Sequence, residues 1–251
     1  MKPIAIVQHE ADAGPGHFAD FLLERNLPHQ TVRVFAGDAM PSSAEPYAGI
    51  CSLGGSMSVN DDLPWINEEL ALMRDADRAG VPIIGHCLGG QLLAKAFGAQ
   101  VTRNAVKEIG WSQVEVDDAA LAREWIGDEP SFELFQWHGD TFALPAGARR
   151  FLTNRWCANQ AFVVGRSQCV HLGMQFHVEM TPQLVNAWVS DPAGIDEIDK
   201  ALERQRGTGV QRAEEITLNV DQRTQKMSRL ADRLYQRWSQ SLRRCPILTN
   251  A

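Results

Sequence analysis

The segment VPIIGHCLGGQLLAKAF, residues Val81–Phe97, decides the fold of this chain. A short apolar run comes first, Cys87 follows between glycines, and the remainder has the pattern of a helix. A strand, a sharp turn and a helix in this order lift the cysteine clear of a sheet. Glycines tolerate the close backbone approach of such a turn, and a helix N-terminus favours a negatively charged sulfur. Cys87 is therefore predicted to be a nucleophile.

A nucleophilic thiol needs a proton shuttle, and the best candidate is a His-x-Glu sequence far downstream. The stretch Val170–Glu179 reads VHLGMQFHVE and begins as an alternating strand. In this spacing the carboxylate of Glu179 can hold one ring nitrogen of His177 while the other nitrogen faces Cys87. His-x-Glu alone is a common pattern, but its combination with the cysteine turn predicts a Cys87, His177, Glu179 triad.

Strands and helices alternate through the first hundred residues, which predicts an α/β fold with a mostly parallel central sheet flanked by helices. We expect Cys87 at the carboxyl end of a central strand, where open α/β sheets place their ligand crevices. The predicted elements are strands at Lys2–Gln8, Thr31–Phe35, Ala48–Leu53 and Val81–Gly85, and helices after the loop Ala13–His17 and at Pro64–Ala79.

The sequence pattern changes after the predicted helix that follows Cys87. Short strand-like pieces separated by polar turns occur near Val101, at Trp111–Val116, near Phe142 and at Arg150–Thr153. These pieces predict a small antiparallel flank. Lys107–Trp111 is predicted to be a loop between two of them.

Four motifs together resemble the class I glutamine amidotransferases. Gly85–Gln91 (GHCLGGQ) matches their G-x-C-x-G-x-Q nucleophile turn, and Gln175–Glu179 (QFHVE) resembles their Q-F-H-P-E segment. Leu53–Ser56 (LGGS) is similar to the Gly-Gly-Pro oxyanion loop, and Trp137–Asp140 (WHGD) to the Ser-His-Gly-Asp segment of the GMP synthase amidotransferase domain.

Two positions depart from the family pattern. Val178 and Ser56 replace prolines, and because neither position supplies a reacting side chain in the family mechanism, the departures concern loop rigidity.

The resemblance covers about residues 1–190 and implies a flavodoxin-like fold and glutamine amide hydrolysis through a thioester. It implies that the backbone N–H groups of Gly55 and Leu88 form the oxyanion hole, and that Gln91 contacts bound glutamine. By the same resemblance Trp137 and His138 are candidate substrate-binding residues, and Lys107–Trp111 lines the glutamine pocket through its backbone.

The C-terminal part, residues 191–251, is predicted to be a helical extension of the 1–190 domain. From Lys200 to Ala251 it contains 11 Lys and Arg against 5 Asp and Glu, whereas the whole chain has a formal charge of −7. An apolar stripe recurs at helical spacing, and Arg229, Arg233 and Arg237 form a parallel row. Nucleic-acid binding by that row is the less favoured interpretation; we expect a helix packed on an acidic domain. The stripe consists of Met227, Leu230, Leu234, Trp238 and Leu242.

The cysteines and the hydropathy indicate a cytoplasmic protein without metal or cofactor. Five cysteines with no C-x-x-C pair favour a reduced compartment and argue against both a disulfide scaffold and a tetrathiolate zinc site. A metal held by His86 beside Cys87 would quench the thiolate. No apolar run approaches the roughly 20 residues that span a bilayer, and no membrane association is predicted.

Three functions remain open at this stage. The chain could release ammonia from glutamine for a separate synthetase or acceptor subunit, since its sequence contains neither an S-G-G-x-D-S loop nor a G-x-x-x-x-G-K-[ST] loop. The same triad could instead hydrolyse γ-glutamyl compounds as a γ-glutamyl peptidase. A non-catalytic regulatory subunit is the third alternative, although it would have no need of all three triad residues.

Overall fold

A computed structural model describes residues 1–166, 169–205 and 209–242 of the chain. A nine-stranded sheet in the order β2-β1-β3-β4-β9-β8-β7-β5-β6 forms its centre. The strands are β1 Ile4–Gln8, β2 His29–Arg33, β3 Gly49–Ser52, β4 Ile83–His86, β5 Val101–Val116, β6 Ser131–Phe142, β7 Arg149–Thr153, β8 Ala161–Arg166 and β9 Cys169–Met174. The α-helices are α1 Gly16–Glu24, α2 Pro64–Ala79, α3 Leu88–Ala96, α4 Ala119–Trp125, α5 Pro182–Ser190, α6 Pro192–Gln205, α7 Ala213–Thr217 and α8 Val220–Ser239.

The parallel half of the sheet confirms the predicted α/β architecture. Strands β2, β1, β3, β4 and β9 pair in parallel, and two apolar cores cover the two faces of the sheet. Helices α2 and α3 contribute to one core, and α1, α5, α6 and α8 to the other. In the register of β4 with β9, His86 lies opposite Met174. Both strands therefore end at the same edge, and the residues that follow them, Cys87 and Gln175, emerge side by side.

The antiparallel part is a continuation of this sheet through the β9–β8 pair. Its strands are longer than predicted, because β5 and β6 form one extended antiparallel ladder with a register shift between Arg103 and Glu108. The prediction of a loop at Lys107–Trp111 was wrong. Polar residues in this region suggested turns, but they belong to a strand that is buried at the four consecutive positions 108–111. Glu108, the first of these, lies among other buried polar groups.

Helix α8 confirms the predicted amphipathic stripe. Met227, Leu230, Leu234, Trp238 and Leu242 are all buried in the core of the α1 face. The arginine row faces outward, and two of its members contact the segment around α4: Arg233 donates to the carbonyl oxygen of Ile126, and Arg237 pairs with Glu124.

The four described cysteines, Cys51, Cys87, Cys157 and Cys169, are free and buried. Cys245 lies outside the described residues. Within the described part of the chain, no helix combines the length and the apolar character that a membrane span requires.

Gly89 allows helix α3 to lie directly against the end of β3. A Cβ atom at this position would lie 2.1 Å from the backbone oxygen of Ser52, a separation that no rotamer change can relieve. We expect Gly89→Ala to lower the free energy of unfolding by about 3 kcal/mol or more, measured by chemical denaturation. Gly165→Ala is the matched control, because nothing lies within 4 Å of its Cβ position; equal stabilities of the two variants would contradict this packing.

Candidate active site

Cys87 occupies the turn between β4 and α3, as the sequence predicted. Its backbone has φ 48° and ψ −105°, a conformation that costs a non-glycine residue about 1 to 3 kcal/mol and that is concentrated at functional sites. The Cys87 N–H donates to the carbonyl oxygen of Met174 at 2.9 Å, which ties the turn to the end of β9. The fold therefore holds the thiol in one place at the first turn of a helix.

Cys87 as a residue is only 4% exposed. Its sulfur has polar neighbours on two sides. The Nε2 of Gln175 lies 3.6 Å from Sγ, and the carbonyl oxygen of Trp137 lies 3.7 Å from it. Gln175 is a neighbour to which sequence reasoning assigned no role, although it stands inside the QFHVE motif.

His177 and Glu179 lie in the loop that follows β9 and form a buried pair. The Nδ1 of His177 is 2.6 Å from Oε1 of Glu179, and the His177 N–H donates to the carbonyl oxygen of Phe135. The indole ring of Trp188 packs edge-on against the imidazole, with ring centroids 5.1 Å apart. Glu179 and Trp188 thus hold the imidazole, and the backbone bond to Phe135 holds the loop, which leaves the Nε2 edge of the ring for chemistry.

The Nε2 atom of His177 is buried and has no hydrogen-bond partner among the described residues. Gly54 lies between this ring and Cys87: a Cβ there would be 2.7 Å from Cε1 of His177 and 3.8 Å from Cβ of Cys87. Burial opposes a charge on His177, but the Glu179 carboxylate and the Cys87 thiol outweigh it and raise the pKa of His177 to about 10. The imidazole is therefore protonated at neutral pH.

Glu179 has a second neighbour that the sequence did not predict. Its Oε2 atom lies 4.0 Å from Nε2 of His86, which is itself 3.1 Å from the hydroxyl of Tyr235 on α8. Burial alone would raise the pKa of Glu179, but His177 and His86 together lower it below its ordinary value. Burial lowers the pKa of His86 below its ordinary value, so His177 is the stronger of the two influences on the carboxylate. The carboxylate thus stays ionised beside His177.

The loop Leu53–Ser56 runs along the other side of the thiol. Gly55 lines the cleft beside Cys87, and a Cβ on Gly55 would be 2.9 Å from Cδ2 of Leu88. Leu88 is the first residue of α3, so its N–H has no carbonyl partner within the helix. Ser56 fixes the outer end of the loop by donating from its N–H and its hydroxyl to the carboxylate of Glu10.

An open cleft of about 290 Å³ lies above these groups. Two predicted catalytic residues, Cys87 and His177, line it together with the three predicted substrate-binding residues, Gln91, Trp137 and His138. Charged residues of both signs complete its wall. They are Glu10, Asp12, Arg103, Lys107, Asp140, Asp191 and Glu197.

The three predicted substrate-binding residues differ in how free their polar atoms are. The Nε2 of Gln91 lies 3.3 Å from both the Asp140 carbonyl oxygen and Oε1 of Gln175, which leaves its own oxygen for a ligand. Trp137 donates its indole N–H to Glu197, at 2.7 Å. Both ring nitrogens of His138 are engaged, one by the Asp140 carbonyl oxygen and one by Glu108, so His138 supports the wall of the cleft.

One group of potential metal ligands lies behind this wall. Ligand atoms of Glu108, His138 and Cys157 are within 4.8 Å of one another. Each is already used: the Glu108 carboxylate accepts from Asn154 and Gln160, and burial raises the pKa of the Cys157 thiol to about 11. The arrangement is that of a buried hydrogen-bond network.

The family comparison agrees with this geometry. The family model described as glutamine amidotransferase class-I matches residues 19–189. Two sequence relatives differ in how much of their own length this chain matches. The chain is 28% identical to the glutamine amidotransferase-like protein YfeJ of Salmonella typhimurium, over 74% of this chain and 79% of that protein. It is 31% identical to the GMP synthase of Rhodopseudomonas palustris, over 68% of this chain but only 32% of that protein.

Solved structures extend the similarity to nearly the whole chain. The crystal structure of a glutamine amidotransferase from Methylobacillus flagellatus is 42% identical, with a TM-score of 0.91 over 98% of this chain and 97% of that one. A glutamine amidotransferase from Thermotoga maritima is 26% identical, with a TM-score of 0.79 over 94% of this chain and 97% of that one. The first of these similarities includes the C-terminal helices.

Proposed function

This chain belongs to the class I glutamine amidotransferases, and on that premise we propose that it hydrolyses the side-chain amide of glutamine through a thioester on Cys87. The observation that carries the proposal is the placement of the His177 imidazole between Glu179 and the cleft. Its Nδ1 is held by Glu179 at 2.6 Å, and its Nε2 edge is unpaired in the cleft that Cys87 also lines. This arrangement supplies a nucleophile and a proton donor to one reacting carbonyl.

The reaction proceeds in two halves. The Cys87 thiolate attacks the amide carbon, and the carbonyl oxygen takes the negative charge, stabilised by the N–H groups of Gly55 and Leu88. The C–N bond then breaks, and His177 gives its proton to the departing nitrogen, which leaves as ammonia. In the second half His177 takes a proton from water, the hydroxide attacks the thioester carbon, and glutamate leaves with the thiolate restored. Glu179 holds the imidazole in position through both halves.

We further propose that the ammonia passes to an acceptor site outside this chain. The GMP synthases that it resembles are about three times as long as the matched part, since the chain spans 32% of the Rhodopseudomonas palustris protein. GMP synthase is the name of the relative, and the proposal does not specify which molecule accepts the ammonia that this chain releases. The free thiols of the described cysteines suit a reducing compartment such as the cytoplasm.

The test is turnover of two substrates by the purified protein. We expect ammonia and glutamate to form in equal amounts from glutamine, measured with a coupled glutamate dehydrogenase assay. Release of glutamate from γ-glutamyl dipeptides, with none from glutamine, would assign the site to γ-glutamyl peptide hydrolysis instead. A folded protein that turns over neither compound, and whose Cys87 is not labelled by 6-diazo-5-oxo-norleucine, would contradict both and favour a regulatory subunit.

A further inference from the structure

A second buried histidine and carboxylate pair lies behind the loop Leu53–Ser56. His9, at the end of β1, and Glu69, on α2, are almost completely buried, and Nε2 of His9 lies 2.8 Å from Oε2 of Glu69. The other carboxylate oxygen accepts from the hydroxyl of Ser52, at 2.6 Å. The mechanism above uses none of these three side chains, and none lines the cleft.

The remaining ring nitrogen of His9 contacts the backbone of the loop Leu53–Ser56. Its Nδ1 lies 3.2 Å from the carbonyl oxygen of Gly54. A carbonyl oxygen can only accept, so Nδ1 carries a hydrogen and donates it. The indole ring of Trp65 packs at 4.9 Å from the imidazole and restrains its orientation. Burial opposes a charge on His9, but the Glu69 carboxylate and the Gly54 carbonyl raise its pKa above the ordinary value.

The bond to Gly54 has a geometric consequence for Gly55. In a trans peptide the C=O of one residue and the N–H of the next point in opposite directions, and the described chain contains no cis peptide bond. When His9 holds the Gly54 oxygen, the Gly55 N–H must therefore point away from His9. Gly55 lines the cleft and His9 does not.

We propose that His9, held in place by Glu69, is a positioning residue that turns the Gly54–Gly55 peptide so that the Gly55 N–H faces the reacting oxygen. This inference rests on the proposed function, in which that N–H stabilises the oxyanion. Two glycines in succession make the peptide easy to rotate, so the site needs an external hydrogen bond to fix it. The buried pair supplies that bond from the side of the loop away from the cleft.

Two substitutions separate the contact to Gly54 from the contact to Glu69. In His9→Gln the amide nitrogen replaces Nε2 and reaches toward Glu69, whereas in His9→Asn it replaces Nδ1 and reaches toward the Gly54 oxygen. Loss of one oxyanion donor costs about 10²- to 10³-fold in kcat in other enzymes. We expect His9→Gln to lower kcat by about 30-fold or more with KM nearly unchanged, and His9→Asn to retain several times more activity.

Two further readouts distinguish positioning from a general structural effect. Glutamate γ-semialdehyde forms a tetrahedral adduct with a thiol and uses the oxyanion donors, so its affinity should fall in parallel with kcat/KM. Alkylation by iodoacetamide forms no oxyanion, so the rate at Cys87, followed by mass spectrometry, should change little in either variant. His171→Gln is the matched control, because His171 is another buried histidine paired with a carboxylate, that of Asp77, and its Nδ1 accepts from the N–H of Ile83 on β4.

The possible outcomes distinguish a failure of the His9 inference from a failure of the proposed function. If the wild-type protein hydrolyses glutamine but His9→Asn loses as much kcat as His9→Gln, or more, the inference is overturned and the proposed function stands. A folded wild-type protein without glutaminase activity overturns the proposed function, and the inference with it. Should either variant fold poorly because Glu69 is left unpaired, both substitutions are made again in a protein that also carries Glu69→Gln. We expect the same order of kcat there, with His9→Asn above His9→Gln.

Discussion

Replacing Cys87 by alanine is expected to abolish ammonia release from glutamine, with kcat falling by about 10⁶-fold, the size of the loss when the nucleophile of a triad enzyme is removed. The reason is that, among the described residues, no other side chain that lines the cleft has a thiol to form the thioester. The thiols of Cys51, Cys157 and Cys169 are buried, and none of them lines the cleft. The measurement is the coupled ammonia assay, with the folded state of the variant checked by circular dichroism.

A matched cysteine makes this prediction specific. Cys169 is also buried and free, and burial raises the pKa of its thiol to about 11, so Cys169→Ala should leave kcat within about twofold. The electrophile 6-diazo-5-oxo-norleucine, which has the shape of glutamine, should modify the wild-type protein at Cys87 alone. Modification of another cysteine, or appreciable turnover by Cys87→Ala, would show that the nucleophile has been assigned wrongly.

The sequence predicted the parts of the site that are local in the chain. Cys87 and Leu88 share one turn, and His177 and Glu179 are two residues apart, so a short motif determines their relation. That the two motifs meet follows from the order of the strands, because β4 and β9 are parallel neighbours and end together at His86 and Met174. Alternation of strands and helices indicated such a sheet, but the neighbours of a given strand are set by crossovers that no local pattern encodes.

The second layer of the site could not be predicted for the same reason. His9 meets Glu69 across 60 positions, and His86 meets Tyr235 across 149. A lone histidine shows no ligand spacing in the sequence, so no local pattern indicates a role for His9, His17, His29 or His171. The structure pairs His9 with Glu69, His17 with Asp232 and His171 with Asp77. Such pairs arise from packing, which becomes visible only in three dimensions.

The extended β5–β6 ladder shows a different limit. Polar residues between Val101 and Trp111 suggested turns, since strands are usually recognised by their apolar face. Here the inward positions carry polar side chains that satisfy one another: Glu108 accepts from Asn154 and Gln160 and contacts His138. Because Glu108 and its neighbours through Trp111 are all buried, this part of the strand has no alternation of buried apolar and exposed polar positions to detect.

The domain boundary at residues 190 and 191 stays a prediction. The described helices after it contribute side chains to the same core as the sheet, and Tyr235 of α8 contacts His86 next to Cys87. The extension therefore supports the catalytic domain directly, which also accounts for the burial of its apolar stripe.

Replacing Glu179 by glutamine is expected to give the second largest loss, up to about 10⁴-fold in kcat near pH 7, which is the cost when the carboxylate of a serine-protease triad becomes an amide. The amide keeps the shape of the side chain but removes the negative charge beside His177. That charge is the main influence that raises the pKa of His177 to about 10, while burial acts in the opposite direction. Without it the pKa of His177 should fall, and the neutral ring cannot protonate the leaving ammonia.

The pH dependence of kcat separates this electrostatic effect from a loss of ring positioning. In the wild-type protein His177 is protonated below its pKa, so activity should hold through neutral pH and decline only as the pH rises through about 10. On the acid side the pKa of Glu179 lies below its ordinary value of 4.5, so its carboxylate stays charged until the pH falls below that value. In Glu179→Gln the alkaline decline should move to lower pH, so that part of the lost activity returns as the pH is lowered. A variant that loses activity by the same factor at every pH would show that Glu179 acts only by holding the ring, without the electrostatic role assigned to it.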